Sequence, residues 1–217
     1  MTQAGRPTVE FYYCAACPWT YLAFVRLREA ATRTGATLAF RPVVAEWIDG
    51  RASGPFGAAL ASANPRIAAY VEKDLADWDR FCGAGIRFPD PPSSCVELAQ
   101  RGAVVASEAG RGTPYVAGLF RAAFVEGRDT GDRSVVLEVA SAAGLPLDDF
   151  ERRLEDPGSL EAVRANTEEL VRRGGFGSPT VFVGEDMYFG HERIPLVESA
   201  LMHGAEQPFI APGEHGR

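Results

Sequence analysis

From Val9 to Phe24 the chain reads VEFYYCAACPWTYLAF. An aromatic and β-branched run, Thr8–Tyr13, carries a strand signal. It gives way through Cys14-Ala-Ala-Cys17 to a helical pattern that begins at Pro18. There Tyr21, Leu22, Val25, Leu27 and Ala30 recur at three- and four-residue intervals, and Gly35 supplies a stop. TLAFRPV, Thr37–Val43, reads as a second strand. The chain therefore opens on a βαβ unit with a short first turn.

The middle of the chain is helical. DGRASGPFGAALASANP reads as loop with one short helix, and helical patterns run at about 67–82, 95–110 and 113–126. Further helices match Ser134–Ala143, Pro146–Glu155 and Gly158–Arg173. The chain closes on GGFGSPTVFVGEDMYFG, a strand, a tight Gly184-Glu185-Asp186 turn and a strand, followed by the helical RIPLVESAL. The order βαβ, helical block, ββα is the thioredoxin architecture with an α-helical insertion. The expected division is a discontinuous α/β thioredoxin-like domain over 7–44 and 158–204, a helical insertion over 45–157, and a poorly ordered tail over 205–217.

Charge narrows the partners. The net charge of −7 argues against nucleic acid or an anionic membrane, and no apolar run reaches the ~20 residues of a membrane span. The start, MTQAGRPTVEF, lacks the apolar stretch of a signal peptide, so a cytoplasmic protein with reduced thiols is expected. Four cysteines in 217 residues do not make a disulfide framework. Cys82 and Cys95 form no second CxxC, so no metal is expected. A small-molecule substrate is the expected partner, with a homodimer as an admissible assembly.

Either thiol of the CxxC can be the reactive one. With Pro18 at the first helical position, Cys17 becomes the N-cap, where unpaired N–H groups and the helix dipole favour thiolate and lower the thiol pKa. With the helix starting near Ala15, Cys14 is the nucleophile and Cys17 resolves it one turn later. The plainer reading makes both inert, buried and apolar. Thr20 stands where a two-thiol oxidoreductase of the CPxx type would carry its resolving cysteine, and a hydroxyl cannot form a disulfide.

Pro179, in GGFGSPT, lies just before a strand, where this architecture commonly holds a cis-proline facing the catalytic helix. Ser178 would then offer its backbone to a peptide-like thiol. Gly190, His191 and Glu192 sit at the start of the last helix, a place for a small zwitterion's carboxylate and ammonium. The plainer readings are a surface histidine and a favourable charge near a helix N-terminus. AYVEKDLADWDRF, with Tyr70 and Trp78, is equally an ordinary amphipathic helix.

Together FYYCAACPWTYLA, YVEKDLADW, LFRAAFVEGRDTGD, AAGLPLDDF, GGFGSPTVFVG and FGHER resemble the DsbA superfamily. The nearest branch is that of 2-hydroxychromene-2-carboxylate isomerases and kappa-class glutathione transferases. The resemblance implies glutathione, or another low-molecular-weight thiol, as cofactor. It implies that Cys17 replaces the branch's serine beside the cofactor sulfur; Cys14 remains the possible second thiol that the CxxC spacing offers. Cofactor contacts fall on Pro18, Asn64, Ser178, Pro179, His191 and Glu192. The branch's lysine three residues before Tyr70 is Ile67 here, with Arg66 beside it as the substitute. Trp19, Thr20 and Trp78 are expected to line a slot for a flat substrate. The implied activity is thiol-dependent isomerisation or transfer on a small aromatic or conjugated carbonyl compound. A DsbA-like oxidoreductase working through Cys17 is the alternative, and a non-catalytic thiol-binding protein the third reading.

Overall fold

A computed structural model describes residues 6–48, 64–90 and 96–203. Strand β1 (Thr8–Tyr13), helix α1 (Pro18–Thr34) and strand β2 (Thr37–Pro42) form the opening βαβ unit. Helices α2 (Pro65–Cys82), α3 (Glu97–Glu108), α4 (Gly112–Phe124), α5 (Arg133–Ala142), α6 (Leu147–Glu155) and α7 (Pro157–Arg172) come next. The chain returns through β3 (Thr180–Val183) and β4 (Asp186–Phe189) to a short 3₁₀ turn, His191–Arg193, and α8 (Ile194–His203). The thioredoxin-like α/β architecture expected from the sequence is the one observed. The connection expected as loop with a short helix lies, except for its last residues, outside the described residues, as do Cys95 and the tail.

The sheet order is β2-β1-β3-β4, with β1 parallel to β2 and antiparallel to β3, and β3 antiparallel to β4. Strand alternation gives β1 two different faces. Val9, Phe11 and Tyr13 enter the main core with α1 and the inserted helices. Tyr12 joins Val43, Leu170 and Phe182 in a second cluster, while Glu10, on that same face, pairs with arginines.

The main core crosses from the sheet into the insertion without a break. Tyr13 lies against Phe40 and Phe120, and Tyr21 and Phe24 also meet Phe120. Buried aromatic side chains of this kind contribute about 1.5–3 kcal/mol each through area alone. Gly102 lets α3 approach α4 closely, since a Cβ there would stand 2.1 Å from the Tyr115 hydroxyl oxygen. Gln100, fully buried on α3, donates from Nε2 to the carbonyls of Tyr13 and Val43, both at 2.7 Å. One amide of the insertion thus ties the end of β1 to the segment after β2. No helix among the described residues is long and apolar enough to cross a membrane.

Candidate active site

The end of β1 delivers the two cysteines to the start of α1. Cys17 is the N-cap, with extended backbone at φ −95° and ψ 118°, and Pro18 occupies the first helical turn. This settles the helix register in favour of Cys17 at the helix start. The Cys17 carbonyl accepts the first helical bonds, from the N–H groups of Thr20 (3.0 Å) and Tyr21 (3.2 Å). Cys14, one short turn earlier, is buried at 4% exposure and accepts the Cys17 N–H on its carbonyl at 3.2 Å.

The Ser178–Pro179 peptide is cis, and it brings Ser178 against both cysteines. The Cys17 thiol donates to the Ser178 carbonyl at 3.8 Å. The Cys14 N–H donates to Ser178 Oγ at 2.8 Å, and Thr20 Oγ1 shares a proton with the same oxygen at 2.9 Å. Thr20 is fully buried, so its hydroxyl must be satisfied inside the protein. Cys14, Cys17 and Thr20 are thereby joined to Ser178, about 160 positions on in sequence, in one uncharged network.

The thiol chemistry departs from the expected lowering. Burial pushes Cys17 upward, and the Thr20 hydroxyl and the N–H groups of Thr20 and Trp19 only partly offset it. The residue is half-buried, but protein crowds its sulfur, and loss of water outweighs the helix-start field. Cys14 is pushed up to about 12, first by burial, opposed by the Ala16 N–H and reinforced by neighbouring Cys17.

The second arm is aromatic. His191, in the turn before α8, is buried at 4% exposure rather than lying on the surface. Trp19 stacks on it with centroids 5.1 Å apart, and Trp78 of α2 meets it edge-on at 4.6 Å. The Trp pair is therefore not an open slot: the protein's own imidazole fills it. Arg26, two turns along α1 from Trp19, lies over Trp78 at 5.0 Å and donates to the His191 carbonyl at 2.8 Å. Burial lowers His191 to about 4, with Arg26 lowering it further and Glu192 opposing. The ring is neutral near pH 7, and its Nδ1 has no partner among the described residues.

Glu192 folds back over Gly190, whose φ of +96° suits glycine. A Cβ on Gly190 would stand 2.5 Å from Glu192 Oε2. The carboxylate is half-exposed, 3.6 Å from Arg193 Nη1 and 3.8 Å from His191 Nε2. The structure thus brings together Cys14, Cys17, Pro18, Trp19, Thr20, Trp78, Ser178, Pro179, His191 and Glu192. Asn64 and Arg66 it leaves apart from Trp78, at the opposite end of α2, about 20 Å along the axis at 1.5 Å per residue. There Asn64 acts as N-cap, accepting the Arg66 N–H at 3.0 Å. Among the described residues neither bonds to the Cys17, Ser178 or Glu192 side chains. Arg26 and Gln100 escaped the sequence reading. The seven-residue spacing from Trp19 to Arg26 was the available signal for the first, whereas a glutamine inside a helix gives none.

Comparison with known proteins agrees with this fold. Residues 8–202 match the family model described as DSBA-like thioredoxin domain. The 2-hydroxychromene-2-carboxylate isomerase of Sphingobium xenophagum is 26% identical over 200 residues, covering 90% of this chain and 98% of the relative. A solved 2-hydroxychromene-2-carboxylate isomerase superposes with a TM-score of 0.76 at 24% identity, covering 89% of this chain and 94% of that one. A probable DsbA oxidoreductase from Streptomyces coelicolor superposes at 0.75 with 23% identity, covering 91% and 89%.

Proposed function

The chain belongs to the DSBA-like thioredoxin domain family, and from that premise we propose that it is a thiol-dependent isomerase or transferase. Its substrate is a small aromatic or conjugated carbonyl compound of the 2-hydroxychromene-2-carboxylate type. The carrying observation is the state of the second thiol. Thr20 fills the resolving position of the CPxx register with a buried hydroxyl on Ser178 Oγ. In the other register, Cys14 is buried with its thiol pushed up to about 12. Neither register offers a second cysteine ready for dithiol exchange, which favours chemistry built on one sulfur position.

Glutathione, or another low-molecular-weight thiol, fits the residues present. The Ser178 N–H has no hydrogen-bond partner among the described residues, as a backbone awaiting a peptide-like ligand requires. Ser178, Pro18 and Pro179 would hold the middle of that ligand, with His191 and Glu192 at its γ-glutamyl end. Asn64 and Arg66 are proposed for its far carboxylate on the resemblance alone. When bound, such a thiol supplies a nucleophile that adds reversibly to the β-carbon of a conjugated carbonyl, so that the former double bond can rotate before it is restored.

The chain's own residues set the conditions for this. The N–H groups at the start of α1 favour negative charge on sulfur beside Cys17. Neutral His191 brings no competing charge, and its packing with Trp19 and Trp78 keeps water from that side. Trp19, half-buried beside Cys17, is the remaining aromatic surface for a flat substrate.

The thiol at Cys17 also favours a second reading, single-cysteine disulfide exchange, because its Sγ faces the cis-proline loop. Absorbance assays on a 2-hydroxychromene-2-carboxylate substrate, with and without glutathione, run beside insulin reduction, separate the two. The proposal expects glutathione-dependent isomerisation that survives Cys17→Ser within about tenfold. Insulin turnover without thiol-dependent isomerisation would overturn it in favour of exchange. Glutathione binding with neither turnover would leave a thiol-binding protein.

A further inference from the structure

The turn that carries His191 and Glu192 is held by its own backbone and by one side chain far away in sequence. The Gly190 N–H donates to the Pro179 carbonyl at 3.0 Å, which ties the turn to the cis-proline loop. The Arg193 N–H closes the turn on the Gly190 carbonyl at 3.2 Å. The His191 carbonyl then accepts twice, from the Ile194 N–H at the start of α8 and from Arg26 Nη1 at 2.8 Å.

Arg26 is half-buried on α1 and, unlike Arg33 and Arg173, makes no ion pair among the described residues. A guanidinium that loses water without meeting an anion needs other partners. Arg26 has two. Its edge donates to the His191 carbonyl, and its face lies over the Trp78 ring at 5.0 Å, within reach of cation–π attraction. Trp78 meets the His191 imidazole edge-on at 4.6 Å. Arg26, Trp78 and His191 thus close a ring of contacts to which α1, α2 and the turn each supply one corner.

We infer that Arg26 is a positioning residue: its guanidinium locks the 190–192 turn to α2 and so fixes where His191 and Glu192 stand beside the cis-proline loop. The task suits a planar cation, which can donate along its edge while presenting its face to an indole. A lysine could keep the charge and the bond to the carbonyl, but it would offer Trp78 a point charge instead of a plane. The inference deepens the proposed function, since it rests on Glu192 as the end of the site that receives the thiol's γ-glutamyl group. Arg26 reaches that group only through the turn.

The test joins glutathione calorimetry to the proton NMR signals of the His191 ring, assigned among the three histidines of the full chain. In the wild type the Trp19 and Trp78 rings should displace those signals from the ordinary histidine position. Arg26→Met, which keeps the apolar stem, should return them partway. It should also weaken glutathione about tenfold, the scale of one hydrogen bond from a charged group. Arg26→Lys should recover part of both losses, and it carries the test if Arg26→Met fails to fold. The double variant Arg26→Met/Glu192→Ala should bind about as weakly as Glu192→Ala alone, because Arg26 acts through the turn. Unmoved His191 signals in Arg26→Met, wild-type behaviour in Arg26→Lys, or full additivity in the double variant would overturn the inference. If the wild type binds no glutathione, the cofactor reading fails by itself, and the His191 signals still decide whether Arg26 holds the turn.

Discussion

Two polar clusters flank the same strand and solve opposite problems. At Glu10, on the β1 face covered by Arg41 and Arg173, full charges meet: Arg41 Nη2 stands 2.9 Å and Arg173 Nη1 2.6 Å from the carboxylate. Arg173 also lies over Phe182 at 3.7 Å. At the strand's end, Cys14, Cys17, Thr20 and Ser178 meet without any charge at rest. Burial would raise Glu10, but the hydrogen bonds from Arg173 and Arg41 outweigh it and hold the carboxyl below its usual range. At Cys17 the balance runs the other way, because no cationic group among the described residues offsets burial. Charge is fixed where cationic partners surround it, and disfavoured where burial meets none.

The contrast breaks most readily at the cysteines. Cys17 should alkylate at least tenfold faster than Cys14 at pH 8, since Cys14 is buried and held near 12. Iodoacetamide labelling with peptide mapping measures this, and faster labelling of Cys14 would show that the deeper thiol is the active one. The next effect concerns His191. His191→Ala should cost about 2–3 kcal/mol in urea unfolding, through lost stacking on Trp19 and Trp78 and the cavity left behind.

His191 also gives the neutral arm a pH signature. Its folded pKa of about 4 lies below the usual 6.5. The unfolded chain therefore binds this proton first as pH falls. The resulting stability is complete above about 6.5 and is lost progressively toward about 4. Wild type should weaken across that window, and His191→Phe should flatten the slope. Equal slopes in both would place the titration elsewhere.

At the mouth of the site, Glu192→Ala should weaken glutathione binding by about 1–3 kcal/mol, the scale of a charged hydrogen bond. Unchanged affinity in calorimetry would remove Glu192 from the thiol's path. The smallest expected effect is at the charged cluster. Glu10→Gln should cost about 1 kcal/mol, because solvent reaches that pair and screens it. Glu10, depressed when folded, should contribute stability above its unfolded value near 4.5 and lose it as pH falls further. A loss from Glu10→Gln larger than that from His191→Ala would invert the comparison.

The sequence made the frame legible because its signals are local. Pro18 at a helix start, Gly35 at a helix end and the turn at Gly184 each act through their own backbone. Pro179 was legible by position in the architecture, and its peptide is cis. What escaped depends on contacts that close across the chain. His191 comes just after β4 and reads as a surface residue until α1 and α2 cover it. Trp19 and Trp78 read as a slot because their filler comes from another part of the sequence. The Cys17 shift went astray for a related reason: a helix start is visible in a motif, but the crowding that strips water from its sulfur is not. The isomerase resemblance named Asn64 and Arg66 alongside the others, and the structure sets them at the far end of α2 from Trp78.

The amide of Gln100 carries a consequence for how this chain comes apart. It belongs to the inserted helices, yet it holds two carbonyls of the frame, at Tyr13 and Val43. Removing the inserted helices would take this partner from both carbonyls and bare the aromatic wall that Phe120 closes. The inserted helices are thus no lid clipped to a finished scaffold but part of one shared core, so the expected outcome of heating is that α1 and the inserted helices melt in a single transition.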